Sequence, residues 1–209
     1  MQQALITIFK NHGVPRWIKV DNGRPFGDPQ IELIPPLALW LIGLGIKVIW
    51  NRPATPQDNA KVERSQGVMG RWTEYAKCKD AYELQLRLWR EAEFHNYHFP
   101  IRQLDKQTRY QKFPGLTHTG RIWNPADFKL NRTLIFLAKG NWERKVSSSG
   151  QVNIYGLQLS VGMAYKHQKV SIKLNPRKNE WNIFDKNGNL IKELRSPFTE
   201  KSIWSLYFS

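Results

Sequence analysis

The chain has 209 residues, of which 32 are Lys or Arg and 17 are Asp or Glu, giving a formal net charge of +15. That excess favours a polyanionic partner, reached by neutralising phosphates and releasing counterions. With 41% hydrophobic residues a packed core is within reach, and the single cysteine, Cys78, excludes an internal disulfide framework and a Cys-rich zinc site.

In chain order, residues 4–10 read as a helix end stopped by Asn11-His12-Gly13. Residues 16–20 read as a buried strand running into Asp21. Pro36 suits the first turn of a helix through Leu44, where its missing N–H costs nothing, and Gly45 suits the cap. Residues 46–50 form a second strand. The apolar stretch 33–50 is broken by prolines, glycines and Lys47, so it reads as helix, turn and strand rather than a membrane span. No N-terminal signal is visible, and with one cysteine this fits a cytoplasmic protein.

Residues 52–58 form a Pro-punctuated loop. Asp58 or Asn59 can cap a helix to about residue 79, with Val62, Met69, Trp72 and Ala76 along one face. Asp80 can cap another, through about residue 97. Residues 114–128 read as a linker. Beyond it come short strands at 133–138, 142–146, 152–155, 157–161, 169–174, 181–184 and 190–194, with turn signals at 148–150 and 185–188. Their spacing suggests a small barrel or sandwich. Residues 117–209 carry 15 Lys and Arg against 6 Asp and Glu, so the β region is the more basic part. Its Lys139, Arg144, Lys145, Lys166, Lys169, Lys173, Arg177 and Lys178 are numerous enough for a phosphate-binding face, once strand register is known. Trp72, Trp89, Trp123, Trp142, Trp181 and Trp204 read as core and interface aromatics.

Two acids stand in distinctive frames. Asp21 lies in Trp17-Ile18-Lys19-Val20-Asp21-Asn22-Gly23-Arg24-Pro25-Phe26, just past an apolar strand. Glu63 lies in Pro53-Ala54-Thr55-Pro56-Gln57-Asp58-Asn59-Ala60-Lys61-Val62-Glu63-Arg64, at a helix start. Alone, Asp-Asn-Gly is a turn signal and a helical Glu is a solvated surface residue. Forty-one residues separate them, enough for a helix, a strand, a loop and a helix start. DNA phosphoryl transfer uses paired divalent ions, and hard ions take carboxylate oxygens.

The ordered set Val20-Asp21-Asn22-Gly23…Phe26, Leu44-Gly45-Ile46-Lys47 and Pro53…Pro56-Gln57…Asn59…Glu63-Arg64 resembles the retroviral-type integrase core of bacterial insertion-sequence transposases, the DDE family. Residues 94–100 and Arg109-Tyr110 partly keep the tail of that core. The β region resembles the small basic barrel that follows the core in Mu-type transposases. The resemblance implies an α/β RNase H-like integrase core over residues 1–113. A linker at 114–128, a small all-β barrel at 129–195 and a tail at 196–209 would follow. It implies metal-dependent cleavage and strand transfer of DNA, Asp21 and Glu63 as catalytic ligands of Mg²⁺ or Mn²⁺ in a two-metal site, and Asn59, Lys61, Arg64 and Arg71 near DNA. Arg64 and Arg71 are seven residues apart and share a helix face.

The family's first acid precedes the second on an earlier strand. Here twenty residues precede Asp21 and none is Asp or Glu. Asp28 and Asp58 are nearby acids, and neither replaces a ligand from another strand. The expectation is the C-terminal part of a longer transposase, catalytically incomplete alone, with an exposed sheet edge that favours aggregation. A homo-oligomer or a complementing N-terminal part would complete it, in a bacterial, nucleoid-associated setting. Two alternatives stand beside this reading, a non-catalytic DNA-binding or assembly remnant and an unrelated RNA-binding barrel. His95-x-x-His98 could share a helix face but has no partner ligands.

Overall fold

The computed structural model describes residues 1–27, 33–52 and 55–208, without the side chains of Pro56 and Lys61. Asp28 and residues 53–54 lie outside the described residues. The chain forms two compact units that interleave in sequence: Met1–Pro15 with Asn51–Trp123, and Arg16–Trp50 with Asn124–Ser209. This partition differs from the contiguous division at 114–128 that composition suggests.

In the first unit, α1 (Gln2–His12) ends at Gly13, whose φ is 78°. A strap at 118–121 is bonded to that end: Val14 N–H donates to Arg121 O at 2.8 Å, and Thr119 Oγ1 donates to Val14 O at 2.9 Å. The chain leaves this unit for α2 (Pro36–Gly43) and returns to it with α3 (Ala60–Thr73). It ends earlier than its composition suggests, because Glu74 takes the left-handed conformation at φ 46°. Met69 and Trp72 turn inward, but Val62 stays 55% exposed and Ala76 lies beyond the helix. The cap of α4 (Ala81–Glu93) is Asp80, which accepts from Glu83 N–H. Arg87 joins α4 to α3, bonding Glu83 at 2.9 Å and the Thr73 carbonyl at 3.5 Å. The chain runs on through a π-helical turn, Phe94–His98, to α5 (Arg109–Lys112). The core here is Trp72 against the rings of Phe94, His95 and Phe99. Tyr82, Leu86 and Trp89, at i, i+4 and i+7 of α4, stay exposed, so Trp89 is not the core residue its type suggests.

In the second unit, β1 (Trp17–Val20) and β2 (Lys47–Trp50) pair in parallel, with Val20 opposite Trp50. Between them runs α2 (Pro36–Gly43), with Pro36 in its first turn and Gly45 just past its end at φ 76°. Its Leu37, Ala38, Leu39, Trp40 and Leu41 are all buried. A helix apolar all round must be covered on every side. The cover comes from distant sequence. It is α6 (Leu130–Leu137), where Thr133 Oγ1 donates to Leu39 O at 3.1 Å, and α7 (Glu200–Ser205), where Trp204 meets the Trp40 ring edge-on. This packing is why residues 16–50 cluster with the C-terminal region.

Residues 133–138 are therefore helical rather than the expected strand. Thr133, Leu134 and Leu137 are buried while Ile135 is 50% exposed, which is helical and not alternating spacing. The remaining strands are β3 (Trp142–Lys145), β4 (Gln151–Ile154), β5 (Leu157–Ser160), β6 (Lys169–Asn175), β7 (Glu180–Phe184) and β8 (Leu190–Arg195). They form an antiparallel sheet in the order β3-β6-β7-β8 and a separate β4-β5 hairpin. Among the described residues no sheet closes on itself, so the expected barrel is an open sheet plus a hairpin. The hairpin turns on Tyr155 and Gly156, at φ 52° and 76°, the two positive values that a two-residue turn matching strand twist demands. Trp142, Val170, Ile172, Leu174, Trp181 and Ile183 fill the sheet's inner face.

Candidate nucleic-acid interface

Asp21 stands exposed at the C-terminal end of β1. Its Oδ1 accepts the Gly23 N–H at 3.1 Å, the local bond that an Asx turn makes. The frame also holds the Trp50 indole, which donates to Phe26 O at 2.9 Å and ties the turn to the end of β2. Glu63 is exposed in the first turn of α3, and its N–H donates to Asn59 O at 3.0 Å. Among the described residues no cation pairs with either carboxylate.

The segment before α3 is stapled. Asp58 accepts the Arg52 N–H at 3.0 Å and the Arg52 guanidinium at 3.0 Å. That pair raises the Arg52 pKa above its ordinary value, first through the hydrogen bond and then through the charge. Asp58 is thus engaged by Arg52 and does not cap α3. Asn59 occupies the cap position without a side-chain cap bond, because its Oδ1 accepts from Asn51 Nδ2 at 2.6 Å. Half-buried and so bonded, Asn59 holds the helix start in place. Arg64 and Arg71 are exposed on α3, and Lys61 lies in its first turn.

Sequence inspection missed Gly67 and Gly70. With Glu63 they occupy i, i+4 and i+7 of one α3 face, and a Cβ added to either meets nothing within 4 Å. Glycine inside a helix was the available signal.

Register sorts the basic residues of the β region. Lys145 lies directly opposite Lys169. Lys169, Ser171 and Lys173 share the outer face of β6, and Lys173 Nζ sits 5.9 Å from the centre of the Phe184 ring. Arg144 belongs to the opposite, inner-side register and donates to Glu143 O at 2.8 Å. Lys178 is spent on Glu193, 3.3 Å away. Like charges directly opposite across strands are destabilising in the free protein, and a bound polyanion relieves them.

Carboxylates are the right donors in kind for Mg²⁺ or Mn²⁺. Among the described residues, however, no group of three His, Cys, Asp or Glu side chains is placed to hold an ion. Asp21 and Glu63 belong to different units. The donor set described here does not complete a two-ion centre. His95 and His98 do not form a ligand pair: His95 is buried among aromatic rings and His98 is exposed. Burial, then the nearby Arg109 charge, lowers the His95 pKa.

No family model matches the chain. Among solved structures, a chain from the intasome of simian T-cell lymphotropic virus, in complex with the PP2A regulatory subunit B56 gamma, aligns at 16% identity and a TM-score of 0.41. The alignment covers 94% of this chain and 64% of that one, so this chain spans under two thirds of the length of the one it matches. At that score the likeness assigns neither fold nor activity. No described helix is long and apolar enough to cross a membrane.

Proposed function

We propose that this chain serves DNA transposition or integration, as part of a DDE-type polynucleotidyl transferase with an RNase H-like core. In this reading Asp21 and Glu63 contribute two carboxylates to a divalent-ion site that cleaves and rejoins DNA. Arg64, Arg71 and Lys61 on α3 contact the phosphate backbone, and the outer face of β6 is a basic face of its own unit suited to the same chemistry. The observation that carries the reading is the ordered set of frames, Val20-Asp21-Asn22-Gly23, Leu44-Gly45-Ile46-Lys47 and Pro56-Gln57…Asn59…Glu63-Arg64. The fold supports it locally. Asp21 follows the first of two parallel strands, a usual position for a functional residue in an α/β sheet, and Glu63 opens the helix after a stapled loop.

The unfinished ion site favours a second reading, a DNA-binding or assembly role without chemistry. Mg²⁺- or Mn²⁺-dependent nicking or strand transfer on duplex DNA separates the two. Products that vanish in both Asp21→Asn and Glu63→Gln support the first. Salt-sensitive duplex binding with no metal-dependent product supports the second, and a preference for structured RNA sinks both.

A further inference from the structure

The first unit contains a cleft of about 420 Å³ beside α5, lined chiefly by His12, Asn96, Tyr97, Arg109, Tyr110 and Phe113. We propose that it holds one unpaired nucleotide of a DNA strand, with the base on the tyrosines and its phosphate on Arg109. The proposal deepens the DNA reading above and rests on it.

Three observations converge. The first is an uncompensated cation. Arg109 is half-buried, and burial lowers its pKa. One of its guanidinium N–H groups donates to the His95 carbonyl at 2.8 Å. Among the described residues no carboxylate pairs with it, and no Asp or Glu lines the cleft. A guanidinium drawn partly out of water with most donors unspent is an anion site, and its planar fork matches a phosphate.

The second is a pair of aromatic faces. The Tyr97 and Tyr110 rings lie 4.8 Å apart at 41°, and each residue is 44% exposed. The two rings pack on each other, and each keeps part of its surface in solvent. Phe113 adds a third exposed ring, and Asn96 adds both a donor and an acceptor for a base edge. A cleft of this size is ordinary for a small planar ligand.

The third is preorganisation. Thr108 and Gln111 close a reciprocal capping box on α5: Gln111 Oε1 accepts Thr108 N–H at 2.8 Å, and Thr108 Oγ1 accepts Gln111 N–H at 3.2 Å. Arg109 and Tyr110 therefore project from a fixed turn. His12 Nδ1 lies 3.2 Å from Thr117 O and joins the other wall to the 113–117 segment. Stacking platforms beside a cation are how proteins hold unpaired bases, since every base has a π-face.

Fluorescence anisotropy with three labelled probes tests this: a short thymine single strand, the same strand with abasic sites, and a blunt duplex. The 209-residue chain should bind the thymine strand at least about fivefold tighter than the abasic one, the lower bound for stacking one base. Tyr110→Leu and Tyr97→Leu should bring these two probes to within about twofold of each other. Arg109→Gln should weaken both alike. Melting curves identify any variant that fails to fold, and the comparison within the wild-type chain decides even then. Equal affinity for thymine and abasic strands, with salt-sensitive duplex binding intact, overturns the cleft and leaves the DNA reading standing. A base preference that survives both tyrosine substitutions also overturns it, because the base is then read elsewhere. Failure to bind any probe sinks the cleft and the DNA reading together.

Discussion

Replacing Gly67 and Gly70 with alanine should stabilise the protein. Both lie inside α3, neither has a positive φ, and an added Cβ meets no atom within 4 Å. Steric cost is therefore absent, and what remains is the lower conformational entropy that alanine brings to the unfolded chain. Each substitution should contribute about 0.5–1 kcal/mol. The pair sums to about 1–2 kcal/mol, which in a chain of this size raises the melting temperature by about 2–8 °C. Thermal melting followed by far-ultraviolet circular dichroism measures it. Gly13→Ala is the matched control with the opposite sign, since φ is 78° there and a Cβ would strike Thr119 Oγ1 and His118. A double variant that melts at or below the wild type would refute the reasoning. If the smooth strip beside Glu63 admits a DNA strand closely, the same variant should bind duplex more weakly while melting higher.

Lys169→Glu should have two opposed effects: it turns the Lys145–Lys169 cross-strand repulsion into a pair worth about 0.2–1 kcal/mol, and it lowers duplex affinity and flattens its salt dependence. Thr133→Val keeps the shape of a fully buried side chain but removes its bond to Leu39 O, so urea titration should show a loss of about 1 kcal/mol. His95 holds a lowered pKa, so the unfolded chain takes up the proton first. Stability should be full above the ordinary histidine value of about 6.5 and decline as pH falls below it, and His95→Gln should flatten that slope in melts between pH 5 and pH 8. Trp89→Lys, at a position 62% exposed on the uncovered α4 stripe, should raise the concentration at which the chain aggregates, by light scattering, without lowering its melting temperature.

Local chemistry made much of this fold legible. Asp80 caps α4 and Pro36 opens α2 because each needs only its own neighbours to do so. The alternation in Lys169–Asn175 and Glu180–Phe184 reports one buried face directly. α6 was not legible, because a short apolar run such as Thr133-Leu134-Ile135-Phe136-Leu137 fits a strand as readily as a helix until its cover is known. The interleaved units were not legible either. The all-round apolar α2 announces that it is buried, but not that Thr133 and Trp204 bury it. Which lysines share a face waited on register, because Lys145 and Lys169 meet across β3 and β6, strands that the β4-β5 hairpin separates in sequence. Asp21 and Glu63 were found from the residues around them, whereas the cleft beside α5 draws on His12 and Arg109, nearly a hundred residues apart.

The most direct test of the central claim is Mn²⁺ binding by the chain in complex with duplex DNA, read by electron paramagnetic resonance. The account predicts bound Mn²⁺ whose affinity falls by at least about tenfold in Asp21→Asn and in Glu63→Gln, no less than the loss of an outer-shell partner costs at metal sites. Bound Mn²⁺ indifferent to both substitutions, or none bound in the wild-type complex, would contradict it.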